Sequence, residues 1–128
     1  MRDIKFRGKI KNSKVNKWVY GYLVDECHIN EKNQLGYTPI RKETIGQYAG
    51  LKDKNGKEIY EEDIIKIKHK FDNTEYICEI IYIDGAFRTK KFIFGSYYDC
   101  LYYWYANDCE IEVIGNIYDN PELLEEGE

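Results

Sequence analysis

"IIKIKHKFDNTEYICEIIYIDGAFRTKKFIF", residues 64–94, decides the fold class. Ile64, Ile65 and Ile67 interleave with Lys66, Lys68 and Lys70, the period-2 pattern of a strand with one face in a core. Asp72-Asn73 is a two-residue turn signal, and "EYICEIIYI" returns as the next strand. Asp84-Gly85 marks another turn before "AFRTKKFIF". Three strands joined by tight turns make an antiparallel meander. The apolar run Ile80 to Ile83 predicts a middle strand covered on both faces. A two-residue turn at 72–73 sets Lys66 opposite Glu79, Lys70 opposite Glu75 and Ile65 opposite Ile80, so these lysines are neutralised across the strands.

Upstream lies "GLKDKNGKEIYEEDIIKIK", residues 50–68, dense in charge. As a calcium loop it fails in both registers: with Gly56 at the sixth position Leu51 falls at the first, and with Asp53 at the first Glu58 falls where glycine belongs. No phosphate-loop motif occurs. Asn55-Gly56 therefore reads as a tight turn. Glu61, Glu62 and Asp63 are three consecutive carboxylates, but neighbours at a strand entry point to opposite faces. A solvated acidic turn is the better reading than an acid–base pair, and no catalytic residue is assigned.

At the N-terminal side, Ile4, Phe6, Gly8 and Ile10 alternate with Lys5, Arg7, Lys9 and Lys11, and "KWVYGYLV" follows after a polar loop. Residues 3–24 read as a hairpin. Residues 25–41 read as a polar connection punctuated by Gly36 and Pro39, and "ETIGQY" as a short strand. "SYYDCLYYWYAND" changes period: Tyr98, Leu101, Tyr102 and Tyr105 share a helical face. "CEIEVIGNIY" is a last strand, and Asn120-Pro121 opens a short helix as N-cap and first residue. The expected fold is mainly β: a small antiparallel SH3-like barrel with an N-terminal hairpin and one or two short helices. A single domain over 1–128 is expected, with a barrel-like core at about 43–118 and an acidic tail.

Charge is unevenly placed. Residues 1–20 hold seven Lys/Arg against one acid, and the last ten hold five acids and no base. No 18-residue apolar run and no leader pattern follow Met1, so a cytoplasmic protein without membrane contact is expected. Cys27, Cys78, Cys100 and Cys109 then read as reduced thiols. They show no C-x-x-C spacing, and Cys27-His28 is the one tight ligand pair. Neither His28 nor His69 has a nucleophile context, so no metal, cofactor or catalytic group is expected.

Two candidate binding surfaces stand out. Lys5, Arg7, Lys9 and Lys11 form a basic stripe, with Trp18, Tyr20 and Tyr22 near enough to stack on bases; Lys5, Arg7, Lys9, Lys11, Trp18 and Tyr20 are the candidate nucleic-acid contacts. The competing reading is a solvated face that blunts an edge strand. In the aromatic segment, Tyr97 and Trp104 exceed what its own core needs and are candidate partner or oligomer contacts.

"IGQYAGLKDKNGKEIYEEDIIKI" (45–67) and "EVIGNIYDNPELL" (112–124) resemble the two signature blocks of the YopX family, and "DIKFRGK" with "WVYGYL" resembles its N-terminal block. The family pattern "IYEGD" has glycine where this chain has Glu62. The resemblance implies a small, mostly β protein of phages and prophages, without catalytic residues to carry over. The expectation is a phage or prophage accessory protein acting as a non-catalytic module that binds a host or phage protein or a second copy of itself. Contact with nucleic acid through the basic hairpin is the alternative.

Overall fold

The computed structural model describes residues 4–12, 14–32, 34–83, 85–90, 101 and 109–126. Among these residues ten strands run in order: β1 (Phe6–Lys9), β2 (Trp18–Asp25), β3 (His28–Glu31), β4 (Thr38–Pro39), β5 (Gly46–Lys52), β6 (Glu58–Tyr60), β7 (Asp63–His69), β8 (Glu75–Ile83), β9 (Ala86–Thr89) and β10 (Cys109–Asn116). A 3-10 turn occupies Lys42–Thr44 and a short helix, α1, Glu122–Glu126. The chain divides into two compact units, 1–50 and 51–128.

In the second unit the meander forms antiparallel, with β10 added beside β7 to give the order β10-β7-β8-β9. Its core is aliphatic: Ile64, Ile65, Ile67, Cys78, Ile80 and Ile111 are buried. The register differs from expectation by two residues, with Ile65 facing Cys78 and Lys66 facing Ile77. The reversal takes four residues, not two. Asn73 adopts φ 61° and its N–H donates to the His69 carbonyl at 2.9 Å, while Asp72 Oδ1 accepts the Thr74 N–H at 3.0 Å. A two-residue shift keeps every side chain on its own face, so the core survives the error. Lys66 is still neutralised, by Glu112 of β10 at 3.7 Å and Glu75 at 4.0 Å. The doubly covered part of β8 is Cys78 to Ile80; Tyr82 and Ile83 at its end are exposed, with Tyr82 edge-on to Phe87.

Asp53 to Lys57 forms a hairpin loop in which only the glycine is left-handed. The Gly56 N–H donates to the Asp53 carbonyl at 3.0 Å, the Asp53 N–H donates to the Lys57 carbonyl at 2.8 Å, and Gly56 has φ 82°. This is a type I turn followed by a glycine bulge. The next turn, between β6 and β7, contains Glu62 at φ 73°. The chain thus keeps a left-handed backbone where the family pattern supplies glycine. The turn is held from both sides: the Glu62 N–H donates to Ile80 at 2.7 Å and its carbonyl accepts from Ile117 at 3.1 Å. A left-handed non-glycine residue costs about 1–2 kcal/mol, part of which glycine would lose again through unfolded-state entropy. Glu62→Gly is therefore expected to stabilise the fold by about 0.5–1 kcal/mol in urea unfolding; a loss of stability would show that the Glu62 side chain outweighs the backbone strain.

The first unit is built on strands in the order β4-β3-β2-β1-β5, over a small core of Val19, Ile29 and Ile40 with Phe6, Leu23 and Ile45 packed on it. β1 lies between β2 and β5, so it is not an edge strand. The stretch 25–41 is not a plain connection: it holds β3, β4 and an Ile10–Ile40 bridge. Ile29 is the single buried apolar residue of β3, too little for a period to show. Pro39 is tolerated in β4 because that strand ends the sheet.

The strand content bears out a mainly β protein, but no closed barrel is found among the described residues, where β4 ends one sheet and β9 and β10 end the other. The strand count alone had suggested closure, which also requires the ends to pair. Within the aromatic segment only Leu101 is described, helical and buried; Tyr97 and Trp104 lie outside the described residues.

Candidate functional site

Residues directly opposite in an antiparallel pair share a face. The β1–β2 register sets Arg7 opposite Tyr20 and Lys9 opposite Trp18, which puts four of the singled-out residues on one side of the sheet. Lys5, two residues before Arg7, belongs to the same face, and its carbonyl accepts the Tyr48 N–H at 2.8 Å. The cations do not simply point into water. Arg7 is 4% exposed with its guanidinium carbon 4.5 Å from the Trp18 ring centre, and Lys9 is 7% exposed with Nζ 5.5 Å from that ring. Lys5 Nζ lies 5.1 Å from the Tyr48 ring centre. Alternation identifies a face but not how much of it is covered. A weakly hydrated guanidinium over an indole face is a favourable way to bury charge. Lys11 lies beyond the Ile10–Ile40 bridge, its N–H donating to Pro39 at 3.0 Å and its side chain exposed.

The face opens further along β2. Tyr20 is 46% and Tyr22 62% exposed, and Val24 follows them. Beside them lies a groove of about 280 Å³ lined by Ile4, Lys5, Tyr20, Gly21, Tyr22 and Lys32. Its floor requires glycine: a Cβ on Gly21 would stand 2.1 Å from the Asn30 carbonyl oxygen. Sequence reasoning missed Ile4 and Lys32. Lys32 enters the groove because β3 folds back on β2, and that strand had no readable period.

Two carboxylates of the charged stretch, Asp53 and Asp63, accept backbone N–H groups. Asp53, 6% exposed, accepts the Asn55 and Lys57 N–H groups on Oδ1 and the Val113 N–H on Oδ2, each at 2.9 Å. Buried Asp63 accepts the Tyr60 N–H at 2.8 Å on Oδ2. Charge-assisted bonds of this kind fix turns and strand junctions.

Two thiol–imidazole pairs also form. At the β2–β3 turn, Asp25 Oδ1 accepts the Cys27 N–H at 2.9 Å and lies 2.8 Å from His28 Nδ1, itself 3.4 Å from Cys27 Sγ. The Cys27 N–H bond, helped by His28, holds the Asp25 carboxyl below its ordinary value. Desolvation and then the Asp25 charge push the Cys27 thiol up. The second pair is Cys109 Sγ and His69 Nδ1 at 3.4 Å, facing each other across β10 and β7. Cys27, Cys78 and Cys109 are free thiols, and Cys78 is buried in β8; Cys100 lies outside the described residues. Among the described residues no helix is long and apolar enough to cross a membrane, which says nothing of membrane-spanning strands.

Comparison with known proteins gives a consistent picture. Residues 3–125 match the family model described as YopX protein. A SPbeta prophage-derived uncharacterized protein, YopX, from Bacillus subtilis (strain 168) is 37% identical over 70 residues, which is 55% of this chain. The match spans about half, 52%, of that relative's own length. The crystal structure of protein EF1440 from Enterococcus faecalis superposes with a TM-score of 0.60 at 27% identity, covering 97% of this chain and 99% of that one.

Proposed function

The chain belongs to the YopX family, and from that premise we propose that it is a cytoplasmic phage or prophage accessory protein that works by binding rather than catalysis, its partner being a second copy of itself. The prophage origin of the Bacillus subtilis relative supports the setting. The observation that carries the binding reading is the exposed row Tyr20, Tyr22 and Val24 beside the groove of Ile4, Lys5 and Lys32. Tyrosine gives a large contact area at small conformational cost and is enriched where binding energy concentrates. Charge selects the occupant. The groove carries two lysines, and the last ten residues of every copy carry five acids and no base. Reciprocal exchange of such segments closes a two-fold dimer.

Sedimentation velocity across a concentration series tests this. The wild-type protein is expected to dimerise, and the Tyr20→Ala/Tyr22→Ala variant to weaken the dimer at least about tenfold, the effect of losing about 1.4 kcal/mol or more at a contact centre. A protein that stays monomeric throughout, or a dimer indifferent to the double substitution, overturns the proposal. Contact with nucleic acid stands second. Lys11 and Lys32 are exposed, but Lys5 lies over Tyr48, and Arg7 and Lys9 are withdrawn over Trp18. That reading demands an affinity that falls steeply with salt.

A further inference from the structure

The β2–β3 turn gathers three different donor types at one point: the Asp25 carboxylate, the Cys27 thiol and the His28 imidazole, their ligand atoms all within 4.8 Å of one another. A catalytic relay does not fit them. A nucleophile–base–orienter chain needs the thiol on one ring nitrogen and the carboxylate on the other, whereas both Cys27 Sγ and Asp25 Oδ1 face Nδ1 of His28. Two donors meeting at a third, the Nδ1 of His28, can instead share a single ion. We propose that Asp25, Cys27 and His28 form a binding site for a borderline-soft divalent metal ion of the zinc type, with a water or a further donor in the fourth position.

Two of the three donor–donor edges are near what such an ion needs, and the third, Cys27 Sγ to Asp25 Oδ1, lies within 4.8 Å. Tetrahedral zinc, with bonds of about 2.3 Å to sulfur and about 2.0 Å to nitrogen or oxygen, has donor–donor edges of about 3.3–3.6 Å. The Sγ–Nδ1 edge is already 3.4 Å, and the Oδ1–Nδ1 edge of 2.8 Å has to open by about 0.5 Å. The imidazole binds the ion through Nδ1 as its Nε2–H tautomer and Cys27 binds as thiolate, so binding releases the thiol proton to solvent. A sulfur–nitrogen–oxygen set disfavours calcium and magnesium, which take oxygen.

The scaffold around the donors is fixed, and the way in is open. The Cys27 carbonyl accepts the Ile40 N–H at 2.9 Å, and His28 pairs with Pro39 of β4. The β2–β3 register shifts between Leu23 and Asp25, and the Asp25 side chain is held by the Cys27 N–H at 2.9 Å. The side chains of His28 and Asp25 are 35% and 54% exposed, which leaves an entry path and room for the fourth ligand. The neighbouring Glu26 carboxylate lies 3.8 Å from Lys42 Nζ. The site is local to the β2–β3 turn and does not depend on the self-association proposed above.

Cobalt(II) titration of the reduced full chain tests the site, because cobalt bound to a thiolate shows a near-ultraviolet charge-transfer band. The expected result is about one equivalent bound, with a dissociation constant in about the micromolar range. Cys27→Ser is expected to abolish the band, with circular dichroism checking that the variant folds. His28→Gln and Asp25→Asn are each expected to weaken binding at least about tenfold. Cys109→Ser, which removes the other thiol–imidazole pair, is expected to leave the titration unchanged. Absence of a band at millimolar cobalt, or a band that persists in Cys27→Ser, overturns the proposal, and so does one that disappears in Cys109→Ser.

Discussion

Asp53→Ala is expected to destabilise the second unit by about 3 kcal/mol. One carboxylate there accepts three backbone N–H groups, two inside its own hairpin loop and the third from Val113 of β10. Alanine leaves all three donors without that acceptor. The Asn55 and Lys57 donors sit in an exposed loop and recover water, but Val113 is half-buried and recovers less. The loop also docks on β10 through the Lys54 N–H to the Ile111 carbonyl at 2.9 Å, so losing the anchor frees a longer segment. Asp53→Asn keeps one acceptor oxygen but turns an amide NH₂ toward a donor, and is expected to fall between wild type and alanine. Urea unfolding followed by near-ultraviolet circular dichroism reads both. A cost under about 1 kcal/mol for alanine would mean that water replaces the carboxylate at every donor.

Gly21→Ala is expected to cost as much or more, by overpacking a place that cannot yield. The added Cβ would lie 2.1 Å from the Asn30 carbonyl oxygen, 2.9 Å from its carbon and 3.0 Å from the Glu31 Cα. All three are backbone atoms of β3, so no change of rotamer relieves the contact, and β2 and β3 must part. A cost of about 3 kcal/mol follows. Because Asp25, Cys27 and His28 lie at the turn that joins these strands, cobalt binding is expected to weaken in the same variant. Gly8→Ala is the control: there the nearest atom is the end of the Ile40 side chain at 2.7 Å, which can turn away, and about 1 kcal/mol is expected. Similar costs for the two glycines would contradict the assignment of Gly21 as the residue that admits β3.

The two signature blocks of the family meet at these junctions. Asp53 and Glu62 lie in the first block, Val113 and Ile117 in the second, and each pair is joined by a hydrogen bond. The stretch that reads in the sequence as a tight turn is also a brace between a hairpin loop and β10. The recognisable motif therefore records how the second unit is tied together.

Legibility in the sequence followed the strength of the local pattern. β8 was readable from Glu75 to Ile83 because nine residues of β-branched, aromatic and alternating side chains leave no competing period. Its register was not, because Asp72 and Asn73 support a four-residue reversal as readily as a two-residue one once Asn73 turns left-handed. β3 and β4 escaped notice because each offers the core a residue or less. The basic stripe was legible as a face, but Trp18, opposite Lys9 and diagonal to Arg7, lies against both cations, a contact visible only in the fold. Asp25 was not singled out beside Cys27 and His28, because its contacts with them come from a local turn, the Cys27 N–H bonding to Asp25 Oδ1, that carries no period in the sequence.

Hydroxyl-radical footprinting of the intact protein, below and above the concentration at which it associates, tests the proposed contact face most directly. Tyr20 and Tyr22 are expected to lose reactivity as the protein associates, while Tyr37 and Phe71, exposed elsewhere, keep theirs. Unchanged modification of Tyr20 and Tyr22 in the associated protein, or protection of Phe71 in their place, would contradict the account.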